Sequence, residues 1–320
     1  MQSLKTKNKQ FLIRAVLFLL IIICIDQLIG AVLYYFFTHQ NTGEFAVANH
    51  VAFNKDEEIL VLGSSRASHH YNSSTIKNSF GLNCYNGGRD GEGLLYSTAM
   101  LQLALQHHIP QYVILDINSD ALDQNKDEKD KLSILLPFLQ QSDVIKDIIK
   151  ERSPFEMYKS LSKTYRYNGQ VLSILQHHFL PSDKYILGFN ALDEKMDASK
   201  VSTKTAFTPY ADLVDPANIK ALVSFITICK TNQVQLFVFI SPRYNDDTKL
   251  NSYVKIKNVC KDHHIPFQDF TNNLVFKRPE YYADRAHLNS IGANLYTDTV
   301  ISFIKKNIQT NKAMYLTQEQ

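Results

Sequence analysis

From Ala15 to Phe37 the sequence reads AVLFLLIIICIDQLIGAVLYYFF, 23 residues interrupted only by Asp26 and Gln27. As a helix rising about 1.5 Å per residue, the run is about 34 Å long, enough to cross the hydrocarbon of a bilayer. A buried core helix and the apolar region of a cleaved signal peptide pass the same test of length. Against cleavage, no small-x-small site follows the run, and Tyr34 and Tyr35 carry the amphipathic rings that settle at membrane interfaces. The expectation is an uncleaved signal anchor over residues 15–37. Its positive flank (Lys5, Lys7, Lys9 and Arg14) precedes the run. The positive-inside rule then leaves a tail of residues 1–14 in the cytoplasm and everything after about residue 38 outside the cytoplasmic membrane, in a periplasmic or extracellular space. Asp26 is costly at mid-span. It either faces a partner helix, marks a water-accessible spot, or is a tolerated polar residue in a single span.

The rest of the chain is not membrane-like. Of 320 residues, 45% are hydrophobic, 11% aromatic and 20% charged, which excludes disorder, and a mean hydropathy of −0.20 excludes a multispanning protein. Past residue 38 the remaining 282 residues carry 30 charges of each sign. Nucleic-acid binding therefore has no electrostatic footing.

Residues 38–57 read as a polar connector. EILVLGSS (58–65) is then a short apolar run entering a tight turn, the pattern of a buried parallel strand. YVILDIN (112–118), QLFVFISP (235–242) and a weaker HIPFQDF (264–270) repeat it, and LNCYNGG (82–88) adds a short strand. Helical spacing fills the intervals at 92–108, 217–231, 246–262 and 289–307, the second opening with Asp215 as N-cap and Pro216 at the first helical position. Alternating β and α predicts a three-layer α/β/α sandwich with a parallel, flavodoxin-like sheet over residues 58–308, closed by a tail at 309–320. In such a sheet the site lies at the carboxyl ends of the strands. More than 110 residues separate the strands ending near Asn118 and starting at Gln235, far beyond what a crossover needs. About 121–212 is thus a helical insertion, helical at 129–151 and 154–179 and irregular at 181–210. It serves either as a lid over the site or as helices packed on the main domain.

Cys24 falls in the span; Cys84, Cys229 and Cys260 lie beyond it, matching no zinc or redox motif. Cys229 and Cys260 end successive helices that lie side by side, close enough for a disulfide in an oxidising compartment, with buried free thiols as the default.

Two constellations carry chemistry. Gly63-Ser64-Ser65-Arg66 directly follows an apolar strand, where a serine is either a helix cap or an exposed nucleophile. Asp284-Arg285-Ala286-His287 precedes the last helix. In such a turn the carboxylate can receive Nδ1–H and hold the ring while Nε2 faces a nucleophile. No third or fourth ligand stands at metal-site spacing. His69-His70, His107-His108, His177-His178 and His263-His264 read as solvated ends, since adjacent residues do not share a helix face.

The conjunction of these motifs at the two ends of one α/β domain resembles the SGNH (GDSL-like) hydrolases, whose nucleophile is the Ser of Gly-Asp-Ser and whose base lies in Asp-x-x-His. Here Ser65 takes the nucleophile's place, with Ser64 for the Asp. Asn86-Gly87-Gly88-Arg89-Asp90-Gly91 looks like the family's second block, which makes the Gly91 N–H an oxyanion donor. Asp116-Ile117-Asn118-Ser119 matches the third block only at Asn118, whose amide would be another donor beside the Ser65 N–H. The resemblance covers about residues 58–123 and 217–308, and Asp-x-x-His-Leu-Asn-x-x-Gly-Ala is its most specific stretch. It implies a catalytic triad of Ser65, His287 and Asp284, an oxyanion hole of Ser65, Gly91 and Asn118, and no cofactor or metal.

The Gly-Ser-Ser variant behind one span is similar to the membrane-anchored branch that moves acyl groups onto teichoic acids or exported polysaccharides. That implies an acylated cell-envelope glycan as substrate and, for a transferase, a multispanning partner that supplies the acyl group. Arg66 either binds a substrate phosphate or carboxylate or pairs with a neighbouring loop. Arg243, in Ser241-Pro242-Arg243-Tyr244, stands where it could line the cleft, and Asp269 reads as a cap. The triad is the same for an esterase and a transferase. Ser64 for Asp and the broken third block also fit a non-catalytic envelope assembly or glycan-binding protein on the same fold.

Overall fold

A computed structural model describes residues 2–181, 184–197, 213–244 and 251–318. Helix α1 (Gln2–Thr38) is a single 37-residue helix, and Lys7–Thr38 within it is long and apolar enough to cross a membrane. No glycine or proline precedes Gly30, so nothing separates the tail from the span and both are helical. The expected connector contains α2 (Gly43–Phe53), with seven buried residues. Its small and apolar residues pack all round rather than on one stripe, which hid it from a test of helical periodicity.

The domain then runs β1 (Ile59–Gly63), α3 (Ser65–His70), α4 (Ser73–Phe80), β2 (Cys84–Asn86), α5 (Leu94–Ala104) and β3 (Tyr112–Asp116). The insertion supplies α6 (Lys126–Lys131), α7 (Asp143–Lys150), α8 (Glu156–Lys159), α9 (Val171–Phe179) and a hairpin of β4 (Tyr185–Ile186) and β5 (Phe189–Asn190). Its two expected helices are broken, the first by Pro137 inside a 3-10 turn and the second at Gly169 with φ +78°. Much of the irregular stretch 181–210, and the start of the helix expected at 246–262, lie outside the described residues. The chain closes with α10 (Pro216–Thr231), β6 (Gln235–Ile240), α11 (Asn251–Asp262), β7 (Phe267–Asp269) and α12 (Ser290–Gln318). Asp215 caps α10, accepting from the Ala217 N–H at 2.9 Å. No glycine or proline follows Gly292, and α12 continues into the expected tail as far as Gln318.

The five-stranded sheet has the order β2-β1-β3-β6-β7, and every described pairing in it is parallel. Alternation along the strands divides two cores. Leu60, Leu62, Val113, Leu115, Leu236 and Val238 face α2, α5, α10 and α11, whereas Ile59, Val61, Ile114, Phe237 and Phe239 face α3, α4 and α12. The fold is therefore the three-layer sandwich that strands buried on both faces require. Cys229 and Cys260 are free and buried on the first of these faces, and burial pushes both thiols up to about 12.

Leu33 and Phe37 of α1 belong to the first core. The helix is thus fastened to the domain: Asp26 accepts hydrogen bonds from the Lys163 and Thr164 N–H groups (2.8 and 3.1 Å) and from the Ser162 hydroxyl. The Asp26 carboxylate therefore caps a turn of the chain's own insertion, a partner that none of the three sequence readings named.

Candidate active site

β1 ends at Gly63, whose φ of +146° and close approach to β3 exclude a side chain: a Cβ there would lie 2.4 Å from the Asp116 carbonyl oxygen. The chain turns on this glycine so that Ser65 opens α3 at the carboxyl edge of the sheet. The first N–H groups of a helix have no partner within it, which leaves Ser65 N–H free to serve an incoming oxygen. From the far end of the domain, residues 282–288 form a closed loop, bridged between Tyr282 and Leu288 and by the Ala283 N–H on the His287 carbonyl at 3.0 Å. Within it Asp284 Oδ1 accepts from the Ala286 and His287 N–H groups (2.7 and 2.9 Å). The Asp-x-x-His spacing thereby folds the carboxylate back onto the ring.

Ser65, His287 and Asp284 are joined in one line. His287 Nδ1 lies 2.9 Å from Asp284 Oδ2, and His287 Nε2 lies 2.8 Å from Ser65 Oγ. With a carboxylate beside it, Nδ1 carries the proton, and Nε2 is then the acceptor for the serine hydroxyl. Partial burial pushes the Asp284 carboxyl up, but the hydrogen bonds and charge of His287, with the two backbone N–H groups, take it down to about 2. Asp284 is therefore ionised at any working pH.

Asn118, two residues past β3, is half-buried with its carboxamide oxygen engaged by Arg66: Nε donates to Oδ1 at 2.9 Å, and Nη2 donates to the same oxygen. Because the oxygen is taken, the amide presents Nδ2–H outward, and Nδ2 donates to no described residue. Gly91 sits exposed at φ +74°, and its N–H likewise donates to no described residue. The guanidinium of Arg66 is 3% exposed; it also donates to the Ser241 and Ile117 carbonyls (3.0 and 3.4 Å) and lies 3.9 Å from Asp116 Oδ1. This corrects the expectation that Arg66 reaches substrate, since every edge of the group is committed inside the protein. Arg243, three residues past β6, is half-buried in a segment held against the 282–288 loop by the Tyr244 N–H on the Arg285 carbonyl (3.0 Å). Asp269 caps as expected, accepting from the N–H and hydroxyl of Thr271.

The first histidine pair is not solvated. His69 is 4% exposed, with Nε2 3.0 Å from Asp90 Oδ2 and Nδ1 2.6 Å from the Asn190 carbonyl. Both partners only accept, so the ring carries both protons. Burial opposes that charge, but Asp90 and the carbonyl outweigh it and hold the pKa up. Its centroid is 5.4 Å from that of His287. His70 is fully buried and neutral, its pKa pushed well down by burial and by Arg66, and its Nε2 accepts from the Leu288 N–H at 2.9 Å. One histidine thus sets the charge beside the His287 ring and the other pins the 282–288 loop. Their positions four and five residues after Ser65, little more than one helical turn on, are the signal that adjacency in sequence obscured.

The hairpin β4–β5 and the strand of chain after it run alongside these groups. The Leu187 carbonyl accepts from Asn86 N–H, the Leu192 carbonyl from Ser290 N–H, and Met196 N–H donates to the Tyr282 carbonyl (2.9, 2.7 and 2.8 Å). This part of the insertion borders the site, while its helices pack on the first core.

Beside Asn118 a recess of about 20 Å³ is lined by Ser64, Glu92 and Glu128 among others. Glu92 is 6% exposed, its Oε2 has no hydrogen-bond partner among the described residues, and Arg89 approaches its Oε1 only to 3.9 Å. Burial pushes the carboxyl up to about 8, against the pull of Arg89 and Lys131. The folded chain then keeps a proton that the unfolded chain loses above about 4.5, so stability falls as pH rises from about 4.5 to about 8. Glu92→Gln, which cannot ionise, is expected to raise the melting temperature by several degrees at pH 8 and to leave it unchanged near pH 4.5. An equal shift at both values would show that the gain is unrelated to ionisation.

No family model and no curated protein matches the chain. Among solved structures, a candidate acylhydrolase from Bacteroides fragilis aligns over 81% of this chain and 89% of its own at 10% identity and TM-score 0.38. An alpha/beta hydrolase enzyme from the metagenome of Lake Arreo aligns over 79% and 97% at 12% identity and TM-score 0.40. An acetyl xylan esterase aligns over 76% and 98% at 11% identity and TM-score 0.37.

Proposed function

We propose that this chain is a membrane-anchored serine acyl hydrolase or O-acyltransferase that works through an acyl-Ser65 intermediate. The observation that carries the reading is the unbroken line from Asp284 through His287 to Ser65. A serine hydroxyl is a weak nucleophile until a base takes its proton, and His287 Nε2 stands at hydrogen-bond distance to do so. As Ser65 Oγ attacks an ester carbonyl, the carbonyl oxygen gains negative charge, and the N–H groups of Ser65 and Gly91 with Asn118 Nδ2 are the donors available to it. Asp284, ionised throughout, steadies the imidazolium that forms. His287 then protonates the departing alkoxide, and water or an acceptor hydroxyl resolves the acyl-enzyme by the same steps in reverse.

The substrate side of the proposal is an ester-linked acyl group, acetyl included, on a cell-envelope polysaccharide. It rests on the resemblance to the membrane-anchored SGNH branch, with Arg243 as the cation proposed to meet substrate. A transferase would draw its acyl group from a multispanning partner. The anchor is α1, with residues 1–14 inside and the domain outside by its flanking charges.

The test is intact mass after treatment with a fluorophosphonate, on the full chain in detergent, because Leu33 and Phe37 of α1 are part of the core. One adduct is expected on the native chain and none on Ser65→Ala or His287→Ala. A folded chain that takes up no adduct would move the non-catalytic envelope-protein reading ahead.

A further inference from the structure

Helix α1 has two faces above Ile25. Asp26, Gly30, Leu33 and Phe37, spaced four, three and four apart, meet the domain, and a Cβ on Gly30 would lie 2.3 Å from Lys163 Cβ. At the same height Leu28, Ile29, Val32 and Tyr35 are exposed on the other side. The apolar residues below Asp26, Ala15 to Ile25, make about 16 Å of helix, short of the roughly 30 Å of a hydrocarbon core. The exposed apolar face of Leu28 to Tyr35 completes that length. The turn bonded to Asp26 on the opposite face therefore stands level with the same leaflet.

What this turn presents is apolar. In the segment that leads into it, Phe155, Tyr158 and Leu161 are 64%, 72% and 75% exposed. Tyr158 N–H donates to the Phe155 carbonyl and Leu161 N–H to the Tyr158 carbonyl (3.1 and 3.2 Å). At three-residue spacing across this turn, the three exposed side chains lie toward one side of the segment. Within the same segment Glu156 is buried, paired with Arg152 and Lys159. Leu161 immediately precedes Ser162, which holds Asp26. Beside α1 a groove of about 280 Å³, lined by Gly30, Tyr34, Lys163 and Arg166 among others, opens at the same level. Two of its lining residues, Lys163 and Arg166, are cations on long side chains that can extend toward lipid phosphates.

We propose that the row Phe155–Tyr158–Leu161 is seated in the leaflet from which the domain emerges, a second membrane contact continuous with α1. The occupant of this surface is lipid, preferably anionic, with Lys163 and Arg166 toward its headgroups. The seat fixes the height and tilt of the domain, which a lone span joined by a flexible connector would leave free. The inference rests on the anchor reading of α1 and is independent of the chemistry at Ser65.

The experiment uses the full chain, Cys24→Ala, in nanodiscs of phosphatidylcholine and phosphatidylglycerol, with a nitroxide on Tyr158→Cys, Leu161→Cys, Ile21→Cys or Ile109→Cys in turn. Collision with oxygen and with a water-soluble nickel chelate reports depth. Positions 158 and 161 are expected to resemble Ile21, oxygen-accessible and shielded from nickel, while Ile109 reads as water. Nickel access at 158 and 161 equal to that at 109, with Ile21 still in lipid, would overturn the seat and leave the anchor standing. Shielding of 158 and 161 from both reagents would mark a protein partner instead of lipid and would also overturn it. Water-like behaviour at Ile21 itself would overturn the anchor, and the seat with it.

Discussion

Ser65→Ala is expected to lower kcat/KM for hydrolysis of an aryl acetate by about 10⁴–10⁶-fold, with His287→Ala close behind and the double variant scarcely worse than either. The reasoning is geometric. Ser65 Oγ and His287 Nε2 are 2.8 Å apart, so nucleophile and base act as one unit, and removing either removes the whole proton transfer. Additive losses would mean that the two side chains act separately. The residual rate should be that of the donors alone, so adding Asn118→Ala to Ser65→Ala should lower it further. The pH profile gives a further check. Asp284 titrates at about 2, so its charge is retained as pH falls through the range where carboxylates ordinarily protonate. Loss of activity between pH 7 and pH 4 therefore does not arise from Asp284. Asp284→Asn, which keeps the shape but removes the acceptor that fixes the tautomer, should reduce the rate across the whole profile rather than shift its acid limb.

Much of this site was legible in sequence because its parts are local. Strand, glycine turn and serine occupy Ile59–Ser65, and Asp284 and His287 lie within one turn, so short-range chemistry fixes each half. The parallel sheet then brings the halves together, as alternating strands and helices predict. What escaped was tertiary. Arg66 lies beside the nucleophile, and nothing local tells whether its guanidinium points out to substrate or inward to the ends of β3 and β6. His69 and His70 look like solvated ends until the carbonyl of Asn190 and the backbone of Leu288, more than a hundred residues away, are brought to them. Asp26 reads as an anomaly in a span because its partners, Ser162 to Thr164, come from the insertion more than a hundred residues away. The helix α2 was missed for a different reason: it is buried on most sides, so its pattern has no polar face to betray the period.

Arg66→Met should be the most destabilising single change near the site, and the way it fails separates two roles for the arginine. Its guanidinium lies 3.9 Å from Asp116, which is 2% exposed and accepts from the Tyr71 hydroxyl at 2.6 Å, with Ser241 also beside it. Burial already pushes the Asp116 carboxyl up against the pull of Arg66 and Tyr71. Without the cation the carboxylate is left uncompensated, at a cost of about 3–5 kcal/mol. Lysine should not substitute well, since one ammonium cannot reach Asn118, Ile117 and Ser241 together as the planar guanidinium does. Arg66→Met with Asp116→Asn removes the unpaired charge and should recover much of the lost denaturant midpoint. If Arg66 also orients the Asn118 amide, that double variant should remain slow, with kcat reduced and KM little changed, and adding Asn118→Ala should cost nothing more. Recovery of kcat together with stability would mean that Arg66 is only the counterion of Asp116, and that Asn118 finds its orientation without help.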